Sequence, residues 1–78
     1  MKELTEKQLN KLTNLNAFNA NFEMLSFRYN VNNKTIYVYN ELPNNQESNY
    51  IQYGSLEYIN GWLYGAVQAK FKMFKSVN

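Results

Sequence analysis

Apolar side chains recur at three- and four-residue steps near the C-terminal end of the chain, between Ser55 and Lys75. The recurring positions are Leu56, Ile59, Leu63, Val67 and Phe74, with Ala66 and Phe71 at the borders of the same face. This spacing is typical of an amphipathic helix that lays its apolar face on a sheet. Ser55 is a suitable N-cap, because its hydroxyl accepts a backbone N–H of the first turn. We predict that the rest of the chain is assembled on this helix.

Another helix is predicted near the N-terminal end. Thr5 and Gln8 have the spacing of a capping box. Apolar residues then recur at steps of three, at Leu9, Leu12, Leu15 and Phe18. Asparagines favour termination because they tolerate left-handed backbone conformations, and they stand at Asn16, Asn19 and Asn21. The pattern predicts one helix that begins near Glu6 and ends near Asn21.

The apolar period changes to two after Phe22, which is typical of strands. Asn32 and Asn33 both tolerate positive φ, so they predict a two-residue hairpin turn. This turn pairs Val31 with Lys34, Tyr29 with Ile36, Phe27 with Val38 and Leu25 with Asn40. On the other side of the sheet it pairs Arg28 with Tyr37 and Ser26 with Tyr39. We expect the first set to face the core, and the second to form an outer face with a cation–π contact between Arg28 and Tyr37.

A short third strand is predicted from Asn49 to Tyr53, where Gly54 ends it. Leu42 to Ser48 is polar, contains the only proline and has no period, so it predicts an exposed loop. The predicted order is α-β-β-β-α. Short connections between consecutive strands favour an antiparallel meander. We therefore expect a single α+β domain over residues 1–78, with a three-stranded antiparallel sheet and two helices on one of its faces.

The composition excludes most catalytic chemistry. The chain contains no Cys, no His and no Asp, which are the common nucleophile, general base and metal ligands. We expect no enzyme activity, no metal and no cofactor. The net charge of +2 produces only a weak long-range field. The first residues lack the apolar run of a signal peptide, and no window is apolar enough to span a bilayer, so we expect a cytoplasmic protein without membrane contact.

Two surfaces are candidate binding sites. Aromatic and cationic residues on the outer sheet face are of the types found in protein–protein hot spots, although tyrosine also has a high β-propensity of its own. The predicted partner-binding residues are Met24, Arg28, Tyr37, Tyr39 and Tyr50, together with Trp62 on the C-terminal helix. Gly61, Gly65 and Ala69 form a strip of small residues on that helix. We expect the strip to pack against the other helix of the same chain, with a homodimer contact as the alternative.

The segment from Asn60 to Lys70, N-G-W-L-Y-G-A-V-Q-A-K, resembles the C-terminal helices of small accessory proteins from phages and other mobile elements of low-GC bacteria. This resemblance implies a protein that binds and inhibits a host protein, such as a defence nuclease in the manner of an anti-CRISPR. The first hypothesis is therefore a small non-enzymatic protein-binding module. The alternative is a nucleic-acid-binding accessory protein that uses Arg28, the same tyrosines and the C-terminal lysines, which are Lys70, Lys72 and Lys75.

Overall fold

A computed structural model describes residues 1–42 and 49–77, and the side chains of residues 72–77 are excluded from the description. Within these ranges the elements are α1 (Glu6–Lys11), α2 (Leu15–Asn21), β1 (Ser26–Asn30), β2 (Thr35–Tyr39), β3 (Gln52–Gly54) and α3 (Leu56–Val77). The strands form one antiparallel sheet in the order β1-β2-β3. The predicted α+β class and the three-stranded meander are confirmed. Most of the predicted exposed loop, residues 43–48, lies outside the described residues.

The capping box that the sequence predicts begins α1. The backbone N–H of Gln8 donates to Oγ1 of Thr5 at 3.1 Å, and the backbone N–H of Thr5 donates to Oε1 of Gln8 at 2.9 Å. Each side chain thus satisfies a backbone donor that the first turn of a helix leaves without an intrahelical partner. The predicted helix start is confirmed at Glu6.

We expect Thr5→Ala to lower the free energy of unfolding by about 1 kcal/mol, because alanine cannot accept the N–H of Gln8. The measurement is the midpoint and slope of urea denaturation. Thr5→Ser is the matched control, since it keeps the hydroxyl and should unfold close to the wild-type midpoint. Equal midpoints for all three proteins would show that the cap contributes nothing.

The prediction of one N-terminal helix is wrong, because the chain breaks between α1 and α2. Asn60 of α3 holds the break in place. Its Oδ1 accepts the backbone N–H of Asn14 at 3.1 Å and the Nδ2 of Asn14 at 3.3 Å. Its own Nδ2 donates to Oγ1 of Thr13 at 3.2 Å. The break therefore depends on a residue 46 positions away, which no local pattern can indicate.

The predicted hairpin register is confirmed, but its turn is longer than expected. The observed pairs are Ser26–Tyr39, Phe27–Val38, Arg28–Tyr37, Tyr29–Ile36 and Asn30–Thr35. The turn contains four residues instead of two, and Lys34 takes a positive φ of 56°. Oδ1 of Asn30 accepts the backbone N–H groups of Asn32 and Asn33 at 2.9 and 3.3 Å, which stabilises the longer turn. The predicted pairs Val31–Lys34 and Leu25–Asn40 lie outside the ladder, and Val31 is exposed.

The first residues add one bridge to the outer edge of β1. The backbone N–H of Lys2 donates to the carbonyl of Tyr29 at 3.0 Å, and the N–H of Tyr29 donates to the carbonyl of Lys2 at 2.7 Å. This antiparallel pair satisfies backbone groups at an edge that would otherwise be free to join another strand. It also brings Met1 beside the outer face of the sheet.

The core lies between the inner face of the sheet and α3, with α1 and α2 packed on α3. Its buried residues are Leu4, Leu12, Phe18, Phe27, Ile36, Val38, Ile59, Leu63 and Val67. The predicted apolar face of α3 is confirmed at the last three of these positions, and the side chain of Phe74 lies outside the description. We expected Gly54 to end the third strand from outside it. Gly54 is instead the last residue of β3 and pairs with Ile36. A Cβ at Gly54 would lie 2.5 Å from the ring of Tyr58, so this close approach requires glycine.

Candidate protein-binding face

Three tyrosine rings gather on the side of the sheet that faces away from α3. Tyr37 stacks on Tyr53 with ring centroids 5.9 Å apart and an interplanar angle of 17°. The ring of Tyr50 makes T-shaped contacts with both, with its centroid 5.1 Å from that of Tyr37 and 5.3 Å from that of Tyr53. These are the offset and edge-to-face geometries that aromatic pairs prefer. We refer to Tyr37, Tyr50 and Tyr53 as the tyrosine cluster.

The pairing of the strands explains how the cluster forms. Arg28, Tyr37 and Tyr53 are directly opposite one another on β1, β2 and β3 and so lie on one face. Tyr50 precedes β3 and joins the row from the side. Two of the three members, Tyr37 and Tyr50, are among the predicted binding residues. Tyr53 was missed, because its face depends on the register of β3 against β2, and the long loop between those strands does not set the register as a two-residue hairpin turn would.

The tyrosine cluster is accessible to a partner. Tyr53 is 54% exposed, Tyr50 is also exposed, and Tyr37 is half-buried between them. The hydroxyl of Tyr37 accepts a hydrogen bond from Nδ2 of Asn33 at 3.3 Å. A cavity of about 250 Å³ opens beside the rings and is lined by Met1, Asn30, Tyr37 and Tyr50. The face therefore combines apolar ring surface with hydroxyl and amide groups.

Arg28 is held by its own surroundings instead of being presented to a partner. Its side chain is only 17% exposed, and Nη1 donates to the backbone carbonyl of Phe27 at 2.7 Å. Nη2 lies 3.9 Å from Oε1 of Glu3, whose side chain is largely exposed, so this ion pair is weak. The predicted cation–π contact between Arg28 and Tyr37 is not found among the described residues. The cation–π contact described for this part of the chain joins Lys70 to Phe22, with Nζ 4.9 Å from the ring centroid.

The prediction that Tyr39 is part of the exposed outer face is wrong. Its pairing with Ser26 places it on the outer side of β2, as predicted, but the residue is 0% exposed. Strand alternation gives the side of the sheet on which a residue lies, but it does not show which other parts of the chain cover that side. Tyr39 thus offers no surface to a partner in this conformation and does not belong to the tyrosine cluster.

The two remaining predicted binding residues lie apart from the cluster. Trp62 is half-buried and packs against the core, with its ring 5.8 Å from that of Phe18 in α2. Its contacts therefore join α3 to α2. Met24 precedes β1 and is exposed. Neither residue is among the ring contacts of the tyrosine cluster in the described part of the chain.

The expected packing of the small-residue strip against the other helix of the chain is wrong. Gly61, Gly65 and Ala69 are all exposed. A Cβ added at Gly61 or Gly65 would meet no atom within 4 Å in the described structure. The helices α1 and α2 pack on another side of α3, where Asn60 and Trp62 contact them. The strip is thus an open face of α3.

We expect Gly65→Ala to raise the free energy of unfolding by roughly 0.5–1 kcal/mol, because alanine is the better helix former and its Cβ has free space. Thermal unfolding, followed by circular dichroism, measures this change. Gly54→Ala is the contrasting variant and should destabilise, since the new Cβ would meet the Tyr58 ring. A Gly65→Ala protein less stable than wild type, with a lower mass by sedimentation, would show that a second copy packs on the strip.

Comparison with known proteins assigns no function to this chain. No protein-family model, curated protein sequence or solved structure matches the chain. The resemblance to phage accessory proteins therefore stays a prediction. None of the helices in the described ranges contains an apolar stretch that could span a bilayer. In the same part of the chain, no three Cys, His, Asp or Glu residues gather as a metal site would require.

Proposed function

We propose that this protein is a small, non-enzymatic protein-binding module whose contact surface is the tyrosine cluster. The observation that carries the proposal is an exposed group of three touching tyrosines on a sheet face that no described helix covers. Tyrosine is enriched in hot spots because it presents a large apolar area together with a hydroxyl, and only two side-chain torsions must be fixed. The contacts within the cluster hold the rings in place before binding and lower that entropic cost further.

Two observations favour a protein partner over nucleic acid at this face. Stacking of bases requires free ring faces, but the ring of Tyr37 already stacks on Tyr53 and makes a T-shaped contact with Tyr50. Phosphate contacts require accessible cations, and the guanidinium of Arg28 in the same row is largely buried. Lys70, from the predicted cationic tail, donates to the carbonyl of Asn21. The face thus suits side chains and backbone of another protein.

The resemblance of the segment from Asn60 to Lys70 to phage accessory proteins extends the proposal to the identity of the partner. On that basis the partner is a host protein of a bacterium, such as a defence nuclease, and binding inhibits it. The chain contains no Cys, His or Asp, which agrees with inhibition by occupation of a surface instead of catalysis. The proposed site of action is the bacterial cytoplasm.

Site-specific photocrosslinking in a bacterial lysate tests this function. Benzoylphenylalanine replaces Tyr53 in one protein and Tyr64 in another, because these side chains are equally exposed at 54% and 53% but lie on β3 and α3. We expect a discrete protein adduct from position 53 that persists at high salt and after nuclease treatment. Adducts from position 64 alone would place the interface on α3. Loss of the adduct with nuclease, or a steep fall with salt, would support the nucleic-acid alternative instead.

A further inference from the structure

A second cavity, of about 510 Å³, lies between α1, the tip of the hairpin and the start of α3. It shares no residue with the tyrosine cluster. Three lysines line it, two from α1 and one from the hairpin turn: Lys7, Lys11 and Lys34. The volume falls in the range of about 300–1,000 Å³ that is usual for small-molecule sites. The cavity is therefore large enough for a metabolite with a ring and one or two charged groups.

The positive charges around this cavity are not balanced by the described residues that line it. Glu57 is the one carboxylate among its described lining residues, so the three lysines leave a formal excess of two positive charges. The ion pair within 4 Å that the structure describes joins Arg28 to Glu3 and involves none of these lysines. The imbalance attracts an anion into the cavity.

The charges of Lys7 and Lys11 affect α1 in different ways, because Lys11 lies in the last turn, where the helix dipole favours a positive charge. The two lysines are four residues apart, so their charges repel each other on one side of the helix. Lys7 also lies in the first turn of α1, where the helix dipole disfavours a positive charge. A bound anion would relieve both effects. The position of Lys7 and its repulsion with Lys11 are therefore unfavourable for the free helix and favourable for an anionic ligand.

The remaining walls show which kind of anion fits. Tyr29, Ile36 and Leu56 contribute apolar groups to the lining, and Ser55 and Leu56 bring the start of α3 to the cavity. We propose that the cavity binds a small organic phosphate, such as a nucleoside diphosphate, with its phosphates among the lysines and its ring against the apolar wall. Lysine ammonium groups bind phosphate as point charges, and an aromatic or aliphatic wall accepts a base or another ring. The inference is independent of the proposed protein-binding function.

Calorimetric titration of the full chain with ADP, pyrophosphate and adenosine tests the proposal. We expect saturable binding of ADP, weaker binding of pyrophosphate because it lacks the ring, and no saturation with adenosine. Lys7→Gln with Lys11→Gln should weaken ADP binding by about tenfold or more, through the loss of two charge-assisted contacts. The same double variant should be about as stable as wild type, because removal of the repulsion on α1 offsets the loss of the favourable position of Lys11 in the last turn. Amide chemical shifts should change at Lys7, Lys11 and Lys34 when ADP is added.

Lys72→Gln with Lys75→Gln is the matched control, since it removes the same charge roughly 24 Å further along α3 than Leu56. We expect it to leave the affinity for ADP unchanged. An equal loss of affinity in both double variants would show that only the net charge matters, and it would overturn the site. Failure of ADP to saturate at millimolar concentration, or tighter binding of adenosine than of ADP, would overturn it as well. None of these outcomes bears on crosslinking from Tyr53.

Discussion

Leu63→Ala is expected to lower the free energy of unfolding by about 3–4 kcal/mol, the largest loss of stability from any change considered for this chain. Leu63 is 0% exposed at the middle of α3 and belongs to the core cluster between that helix and the sheet. Truncation removes the transfer free energy of three carbons and leaves a cavity that close-packed neighbours fill only in part. Domains of this length are stable by only about 4–12 kcal/mol, so Leu63→Ala should remove about a quarter of that stability or more.

Urea denaturation at 25 °C measures this effect, and Leu9→Ala provides the control. Leu9 is 38% exposed in α1, so the same chemical change should cost less than about 1 kcal/mol there. Both variants replace leucine with alanine in a helix, so the change in helix propensity is the same. The difference between their free energies of unfolding therefore measures the effect of burial. Similar losses of stability at both positions would show that Leu63 of α3 is not buried in the core in solution.

The second large effect is expected on binding. Tyr37→Ser with Tyr53→Ser should weaken the complex with the crosslinked partner by about 2 kcal/mol or more, which is roughly 30-fold in the dissociation constant. The two rings stack on each other, so removing both avoids leaving one ring without its neighbour. The fold should survive, because cross-strand pairs of this kind contribute only about 0.2–1 kcal/mol each. Surface plasmon resonance on the purified partner measures the affinity.

Tyr64→Ser is the control for general loss of aromatic surface, since Tyr64 is as exposed as Tyr53 but lies on α3. It should bind like wild type. Circular dichroism of each variant must first show the native spectrum, so that a loss of affinity reports on the face and not on unfolding. A folded Tyr37→Ser, Tyr53→Ser protein with wild-type affinity would remove the tyrosine cluster from the interface.

Elements with a strong local pattern could be predicted from the sequence. The two-residue period around Phe27 and Val38 gave the hairpin register, even though the turn has four residues instead of two. The register was unaffected because both turns are centred between Asn32 and Asn33. The apolar spacing through Ile59 likewise identified the face of α3 that is buried. In these cases neighbouring residues alone decide the structure.

Features that depend on distant residues could not be predicted. The break before α2 requires Asn60, which comes from the other end of the chain. The burial of Tyr39 depends on what covers one end of the outer face. The open strip around Gly65 follows from the side of α3 on which α2 packs. Small residues permit a close helix contact, but they do not show that a neighbour is present.

The candidate site was predicted in part for the same reason. Tyr37 was found because its strand has a clear turn before it, whereas Tyr53 belongs to a three-residue strand whose register is set only by tertiary pairing. The lysine-lined cavity was not predicted at all. Lys7 and Lys34 are 27 residues apart, and they meet at one cavity only after the sheet has formed.

The shortness of α1 has a consequence for hydrogen exchange. This helix has six residues and none of them is buried, and its core anchors are Leu4 before it and Leu12 after it. Its amides should therefore exchange through a local opening that leaves the sheet and α3 intact, while the amides around Ile59 exchange only when the whole molecule unfolds. In deuterated buffer α1 should lose its protection first and with little dependence on denaturant. Its opening rate would then set how quickly the wall that carries Lys7 and Lys11 can move aside.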